Sequence, residues 1–297
     1  MPLRLAVTAA LHHDVPRSRE PAEEIARRIN RSKADAVLLV GDAAIADGRG
    51  LEACLDLFDA GRPRLFIPGN HELWSRSDPR DARRLLSDEL PQRVTDAGWH
   101  WLPGAPFRAG DVAVVGSLGW YDYAFAAPQL AIPERFYRAK LSPGAARLLG
   151  RSDLEPDAPD VPEAHRDFPA RWNDGRFIAG IADDPAFLES RRRELECDLS
   201  CVAGAREVIA AVHVAPMEEL LPVPPPGPIP SAKRQFAFAR AYLGSPALGE
   251  TIRRFGNVSH VICGHTHVAR DVAAAGRRCI NVGSTYTEKR FVMLELD

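Results

Sequence analysis

Short apolar runs in this chain repeatedly stop at a polar residue able to bind a metal ion, and that junction restricts the fold more than any other feature. Leu3 to Thr8 leads into Leu11-His12-His13, Ala36 to Val40 into Gly41-Asp42, and Leu65 to Ile67 into Gly69-Asn70-His71-Glu72. Val208 to Val212 leads into His213, and Val258 to Cys263 into Gly264-His265-Thr266-His267. Apolar runs of this length, closed by glycine or polar turns, read as buried strands. Of the nine histidines, His12, His71, His213, His265 and His267 therefore sit at strand ends, a placement that chance would scatter.

Helix patterns separate the first strands. Glu20 to Arg31 spaces Ile25 and Ile29 four apart among charges, and Leu51 to Ala60 does the same with Leu51, Leu55 and Phe58. Strand, helix, strand, helix, strand is a parallel βαβ start, whose right-handed crossovers gather the strand ends at one edge. Loops at that edge are where α/β sheets build their sites. Arg80 to Leu90 is a further helix candidate, and Phe107 to Arg108 with Val112 to Val115 form a hairpin about Ala109-Gly110-Asp111. Residues 121 to about 182 lose periodicity and carry Tyr121, Tyr123, Phe125, Phe136, Tyr137, Phe168 and Trp172, which marks an irregular insertion or lid. Helical patterns return at Asp184 to Ala203 and Pro246 to Phe255, around a proline-rich loop at Leu221 to Pro230. Strand-like runs at Cys279 to Val282 and Phe291 to Leu296 close the chain. The expected architecture is α/β, a two-layered mixed sheet sandwich flanked by helices, formed by residues 1–297 as a single domain.

Composition narrows the class without choosing a function. Apolar residues at 45%, charged residues at 26% and a net charge of −2 describe an ordinary globular protein and give no electrostatic signature for nucleic acid. No stretch reaches the ~18 apolar residues of a membrane span, and the expected location is cytoplasmic. Cys54, Cys197, Cys201, Cys263 and Cys279 lack metal-site or redox spacing and read as buried thiols. Arg191-Arg192-Arg193 alternates with Glu189, Glu194 and Glu196 on a helix pattern, which reads as a solvated salt-bridged face. His100, His165 and His260 have no supporting context, and Arg171-Trp172-Asn173-Asp174 and Lys233-Arg234 read first as packing or solvated residues.

Imidazole, carboxylate and amide donors together suit divalent Mn, Fe, Zn or Ni. In order, these residues resemble the calcineurin-like metallophosphoesterases, whose motifs run Asp-x-His, Gly-Asp, Gly-Asn-His-(Asp/Glu), His and Gly-His-x-His across residues 8 to 267. The resemblance implies a four-layer α/β/β/α fold and two divalent ions. It assigns one ion to His12, Asp42 and His267 and the other to Asp42, Asn70, His213 and His265, with Asp42 bridging. His71 lies near the phosphate as general acid or stabiliser of charge, and Glu72 orients its neighbours. The implied reaction is hydrolysis of a phosphomonoester or phosphodiester by a hydroxide held between the ions. The implied substrate is a small phosphate ester, with nucleotides one such class.

One position departs from the pattern. The family's first carboxylate belongs at residue 10, where Thr8-Ala9-Ala10-Leu11-His12 carries a methyl group. Loss of a ligand and a negative charge predicts a weakened first ion and reduced turnover, with His13 and Asp14 the nearest substitutes. Two rival readings remain: a nuclease, which needs an open basic groove, and a metal- or phosphate-binding relative without turnover.

Overall fold

In the computed structural model, residues 3–77, 80–223, 227 and 229–296 are described. Pro224, Pro225, Pro226 and Pro228 of the proline-rich loop lie outside them. Among the described residues eleven strands form: β1 (Leu3–Thr8), β2 (Ala36–Val40), β3 (Arg64–Ile67), β4 (His100–Trp101), β5 (Phe107–Ala109), β6 (Val112–Ser117), β7 (Glu207–Val212), β8 (Val258–Cys263), β9 (Arg270–Ala274), β10 (Arg277–Asn281) and β11 (Phe291–Leu296). They make two mixed sheets, one of order β11-β1-β2-β3-β4 and one of order β5-β6-β7-β8-β10-β9. In the first, β1 to β4 run parallel and β11 pairs antiparallel with β1. In the second, β6, β7, β8 and β10 are parallel, with β5 and β9 antiparallel at the edges.

The near-continuous apolar strands follow from burial on both faces. Leu5 and Val7 of β1, Leu38 and Val40 of β2, Val112 and Val114 of β6, and Ile209 of β7 meet in a layer between the sheets. The alternate residues, including Ala6, Val37, Leu39, Ala113 and Val115, join the cluster that packs against the helices. Each fully buried Leu, Ile or Val contributes ~1.5–3 kcal/mol, so a one-residue slip of register would forfeit a whole layer. The sheets approach closely at Gly116, where an added Cβ would lie 2.3 Å from Ile67 Cγ2 and 2.7 Å from Leu102 Cβ.

The flanking helices differ from the sequence expectation mainly at their ends. The first spans Pro16–Asn30 and buries Ala22, Ile25, Ala26 and Ile29. The second is shorter than its pattern, Gly50–Leu55. The Arg80 to Leu90 candidate becomes a broken element: Ala82–Arg84, a π-helical stretch Leu85–Glu89, then Leu90–Asp96. Pro91 lacks the N–H that a continuous α-helix would use there, and the preceding turns widen. The helix Asp184–Cys201 starts at an Asp183 side chain that accepts from Ala186 N at 3.1 Å. Its outer face carries the expected ion pairs, Arg191–Glu194 at 3.0 Å and Arg192–Glu189 at 2.7 Å. That face also exposes Cys197 and Cys201, contrary to the buried-thiol reading; Cys54, Cys263 and Cys279 are buried. No helix among the described residues is long and apolar enough to cross a membrane.

Residues 121–182 contain only short helices, among them Glu134–Arg138, Pro143–Leu148 and Asp174–Phe177. Their aromatic residues are not free at the surface: Tyr121 and Phe136 are fully buried. Asp184 ties part of the segment down by accepting from Trp120 Nε1 at 2.7 Å, from Lys140 Nζ at 2.5 Å and from the Tyr123 hydroxyl.

Candidate metal centre

The loops after β1, β2, β3, β7 and β8 converge at one edge of the sandwich. Two glycines permit the closeness. Gly41 has φ of +73°, and a Cβ there would lie 2.4 Å from His213 Nδ1. A Cβ on Gly69 would lie 2.3 Å from Asp42 Oδ1 and 2.6 Å from His213 Cε1. Any larger residue would displace the side chains that meet there. Backbone bonds fix the first loop beside the second: Ala10 N donates to Gly41 O at 2.9 Å and His12 N to Asp42 O at 2.8 Å.

Strain concentrates at the same place. Ala10, His12, Asp42, His265 and His267 all adopt left-handed backbone, with φ of 53°, 44°, 58°, 63° and 58°. Each such residue costs on the order of 1–3 kcal/mol, which surrounding packing must offset.

Two groups of donors result. The ligand atoms of His12, Asp42 and His267 lie within 4.8 Å of one another, as do those of Asp42, His213 and His265. His12 Nε2 is 3.2 Å from His267 Nε2 and 3.7 Å from Asp42 Oδ2, and His213 Nε2 is 3.3 Å from Asp42 Oδ1. Asn70 belongs with the second group, its Oδ1 3.3 Å from His213 Nε2. Asp42, contributing one oxygen towards each side, joins them.

The remaining hydrogen bonds orient the imidazoles. His213 Nδ1 lies 3.0 Å from Val40 O, a group that only accepts, so the proton sits on Nδ1 and Nε2 keeps its lone pair. His265 Nε2 meets Tyr242 O at 3.2 Å, which leaves Nδ1 as its lone-pair nitrogen. Burial holds His265 down at about 3 and His267 at about 4, and pushes His12 well below the usual imidazole range. Burial acts in the same direction on His213, but the Asp42 carboxylate outweighs it and the net shift is upward. Imidazole nitrogens and a carboxylate facing one another in a dry pocket form a donor set that fits divalent transition ions.

A surrounding layer holds these side chains in place. Glu72, fully buried, accepts from the backbone N–H groups of Asp42 at 2.9 Å, Ala43 at 2.6 Å, Ala44 at 3.1 Å and Gly69 at 2.6 Å. It thereby pins the β2 and β3 loops to each other. Burial, with Asp42 adding, pushes its carboxyl up to about 7 against the pull of those donors. Asp174, from the irregular segment, accepts Asn70 Nδ2 at 2.8 Å and Trp74 Nε1 at 2.6 Å on one oxygen. The other oxygen accepts the Tyr121 hydroxyl at 2.9 Å and Trp172 Nε1 at 2.7 Å. Because Asn70 gives its NH₂ to Asp174, its Oδ1 is the atom left to face the cluster.

His71 stacks on Trp74 at 3.8 Å between ring centroids and meets the edge of His12 at 4.4 Å. Its Nδ1 is buried without a hydrogen-bond partner among the described residues, and burial lowers its pKa. A cavity of about 410 Å³ opens over Asp42, Asn70, His71, His265 and His267. Arg171, Trp172 and Asn173 line it too, so this stretch borders the site rather than serving only as packing or solvated surface.

Around Ala10 the structure adds residues that the motif reading missed. Lys289 is buried and donates to Ala10 O and Thr285 O, both at 2.7 Å, and burial brings its ammonium down to about 7. Tyr286 packs 4.7 Å from the His12 ring and 5.2 Å from His267. Their only sequence signal is a polar turn, Thr285-Tyr286-Thr287-Glu288-Lys289, before the last strand. His13 turns away towards Glu23 at 3.7 Å, and among the described residues neither it nor Asp14 joins a donor group. His100 binds Ala105 O, His165 packs beside Phe168, and His260 lies near Glu207, all apart from the cluster.

A two-sheet sandwich carrying such a histidine–carboxylate cluster at its strand ends is the scaffold of metal-dependent phosphoesterases. The model of the calcineurin-like phosphoesterases matches residues 3–176, more than half of the chain. The chain belongs to that family. The match ends before His213, His265 and His267, which the fold brings to the same place. Among solved structures, a phosphopantetheinyl hydrolase from Mycobacterium tuberculosis has the same fold at 18% identity, with a TM-score of 0.63 and 98% of this chain and 96% of that chain covered. A dimetal phosphatase from Danio rerio shares it at 15% identity, with a TM-score of 0.55, over 100% of this chain and 93% of the other. No curated protein matches the chain by sequence.

Proposed function

We propose that this protein hydrolyses a small phosphate ester at a centre of two divalent ions, one of which is held weakly. The meeting of both donor groups at the Asp42 side chain carries this reading, because one carboxylate between two sets of imidazoles is the arrangement that a pair of ions requires. His12, Asp42 and His267 would hold the first ion, and Asp42, Asn70, His213 and His265 the second. Mn, Fe, Zn and Ni suit these donors.

Such a pair, when bound, activates water and neutralises the phosphoryl oxygens during in-line displacement. The chain supplies placement. Val40 and Tyr242 carbonyls orient His213 and His265, Asp174 orients Asn70, and Glu72 locks the loops that carry Asp42 and Asn70. His71, kept neutral by burial, presents a ring N–H better suited to stabilising a phosphoryl oxygen than to delivering a proton. Ala10 removes a carboxylate from the first ion, and Lys289, where protonated, adds a positive charge beside it. Both reduce affinity for a dication, and turnover falls with occupancy.

Nucleotides are one substrate class that such a centre accepts. A panel of phosphomonoesters and phosphodiesters assayed with Mn, Ni, Zn and Mg tests the reading. Turnover that His213→Ala abolishes is expected. Activity that survives His213→Ala would overturn the assignment of the second ion, and bound metal with no turnover in any condition would favour a binding protein.

A further inference from the structure

Beside the metal cavity lies a second one, of about 510 Å³, and the two share Phe236, Ala239, Leu243, Thr266 and His267 as a common wall. Its size is that of a small-molecule pocket, typically ~300–1,000 Å³. Beyond the shared wall its lining is chiefly apolar, with Val223, Ile229, Ala237 and Val268 prominent. Phe236 and Val223 stand 77% and 74% exposed, an exposure matched among the large apolar side chains of the described residues by Leu148. Exposed apolar groups beside a site are a standing cost that a ligand would relieve.

We infer that this second cavity is the binding site for the organic half of the substrate, and that this half is an extended apolar chain esterified to the phosphate. The inference rests on the proposed phosphoesterase reading and names the substrate class. Adjacency of the two cavities points to the occupant. A phosphate seated against Asp42, Asn70 and His267 places its ester substituent at the shared wall, where Phe236 and Leu243 lead onward.

The polar inventory argues against a nucleoside there. Among the described lining residues outside the shared wall, the long polar side chains are Gln129, Lys233 and Arg240. Arg240 is already engaged, donating to Pro222 O at 2.9 Å and to Glu218 at 2.6 Å. A nucleobase pressed against Val223, Ile229 and Val268 would have only Gln129 and Lys233 to pair its polar edge, whereas methylenes would match the lining.

Calorimetric binding of a series of alkylphosphonates, methyl to octyl, to the Mn(II)-loaded protein tests this without requiring turnover. Affinity is expected to rise about fourfold per methylene until the cavity is filled, as follows from ~0.8 kcal/mol per buried CH₂. Ala237→Asp, which places a carboxyl group in the cavity, and Val223→Ser, at an exposed position that tolerates change, are each expected to flatten that slope. Methylphosphonate binding with no gain on lengthening, or an unchanged slope in both variants, would overturn the apolar-chain assignment while leaving the phosphoesterase reading intact. Failure of even methylphosphonate to bind the Mn(II)-loaded protein would bring down both.

Discussion

Replacing Asp174 by asparagine isolates what the irregular segment contributes to the metal centre. The amide keeps the shape of the carboxyl group but accepts on one atom only. With its oxygen in the Oδ1 position it retains Asn70 Nδ2 and Trp74 Nε1, and its NH₂ then faces Trp172 Nε1 and the Tyr121 hydroxyl. The hydroxyl can turn and accept; the indole cannot. Two bonds to a carboxylate are lost, each ~1.5–3 kcal/mol, and one neutral bond of ~1 kcal/mol is regained, so the expected destabilisation is about 2–5 kcal/mol. The opposite amide orientation would instead turn Asn70 and withdraw its oxygen from His213. Outer partners of metal ligands are typically worth ~10–100-fold in affinity, and a fall of that order in Mn(II) binding is expected. Urea unfolding and calorimetric Mn(II) titration measure the two effects. Tyr121→Phe is the control: it removes one donor to Asp174 without touching Asn70, so stability should drop while Mn(II) affinity holds. Asp174→Asn with wild-type metal affinity would refute the positioning role.

Two other perturbations probe different parts of the centre. Gly69→Ala forces a methyl group to within 2.3 Å of Asp42 Oδ1 and 2.7 Å of Asp42 N, so metal content should fall sharply with a stability loss of roughly 1–3 kcal/mol; elemental analysis showing full occupancy would contradict this. Lys289 gives a pH signature in the metal-free protein. Its folded value is lowered to about 7, so between pH 7 and 10 the unfolded chain holds a proton that the folded chain has lost, and stability rises with pH across that window. The slope is ~1.4 kcal/mol per pH unit, on the order of 4 kcal/mol in all, and Lys289→Met should remove it. Parallel stability–pH curves for the two proteins would show that the ammonium is not desolvated.

Most of the scaffold was legible because its strands are buried on both faces and end in glycine or polar turns. The runs Leu3–Thr8, Ala36–Val40, Val258–Cys263 and Phe291–Leu296 coincide with strands to the residue. β4 and β9 escaped notice: β4 has two residues, and β9, Arg270–Ala274, opens on two adjacent charges and has Val272 as its one large apolar residue, at a sheet edge. The ligand candidates were visible as motif residues at strand ends. Their supports were less so. Asp174 stands 104 residues from Asn70, and Lys289 lies 279 residues from Ala10, separations that no local pattern can encode. The apolar cavity likewise depends on a helix, Arg234–Ala239, that places Phe236 beside a loop thirty residues further along.

The proposed centre has two ion positions that share Asp42 and differ in strength because of Ala10. Calorimetric Mn(II) titration of the wild-type chain and of Ala10→Asp, with metal content counted in parallel, tests this directly. Two ions per chain are predicted for both proteins, the weaker bound at least ~10-fold less tightly in the wild type and strengthened by at least ~10-fold in Ala10→Asp. A single ion in both proteins, or two whose affinities Ala10→Asp leaves unchanged, would contradict the uneven two-ion centre.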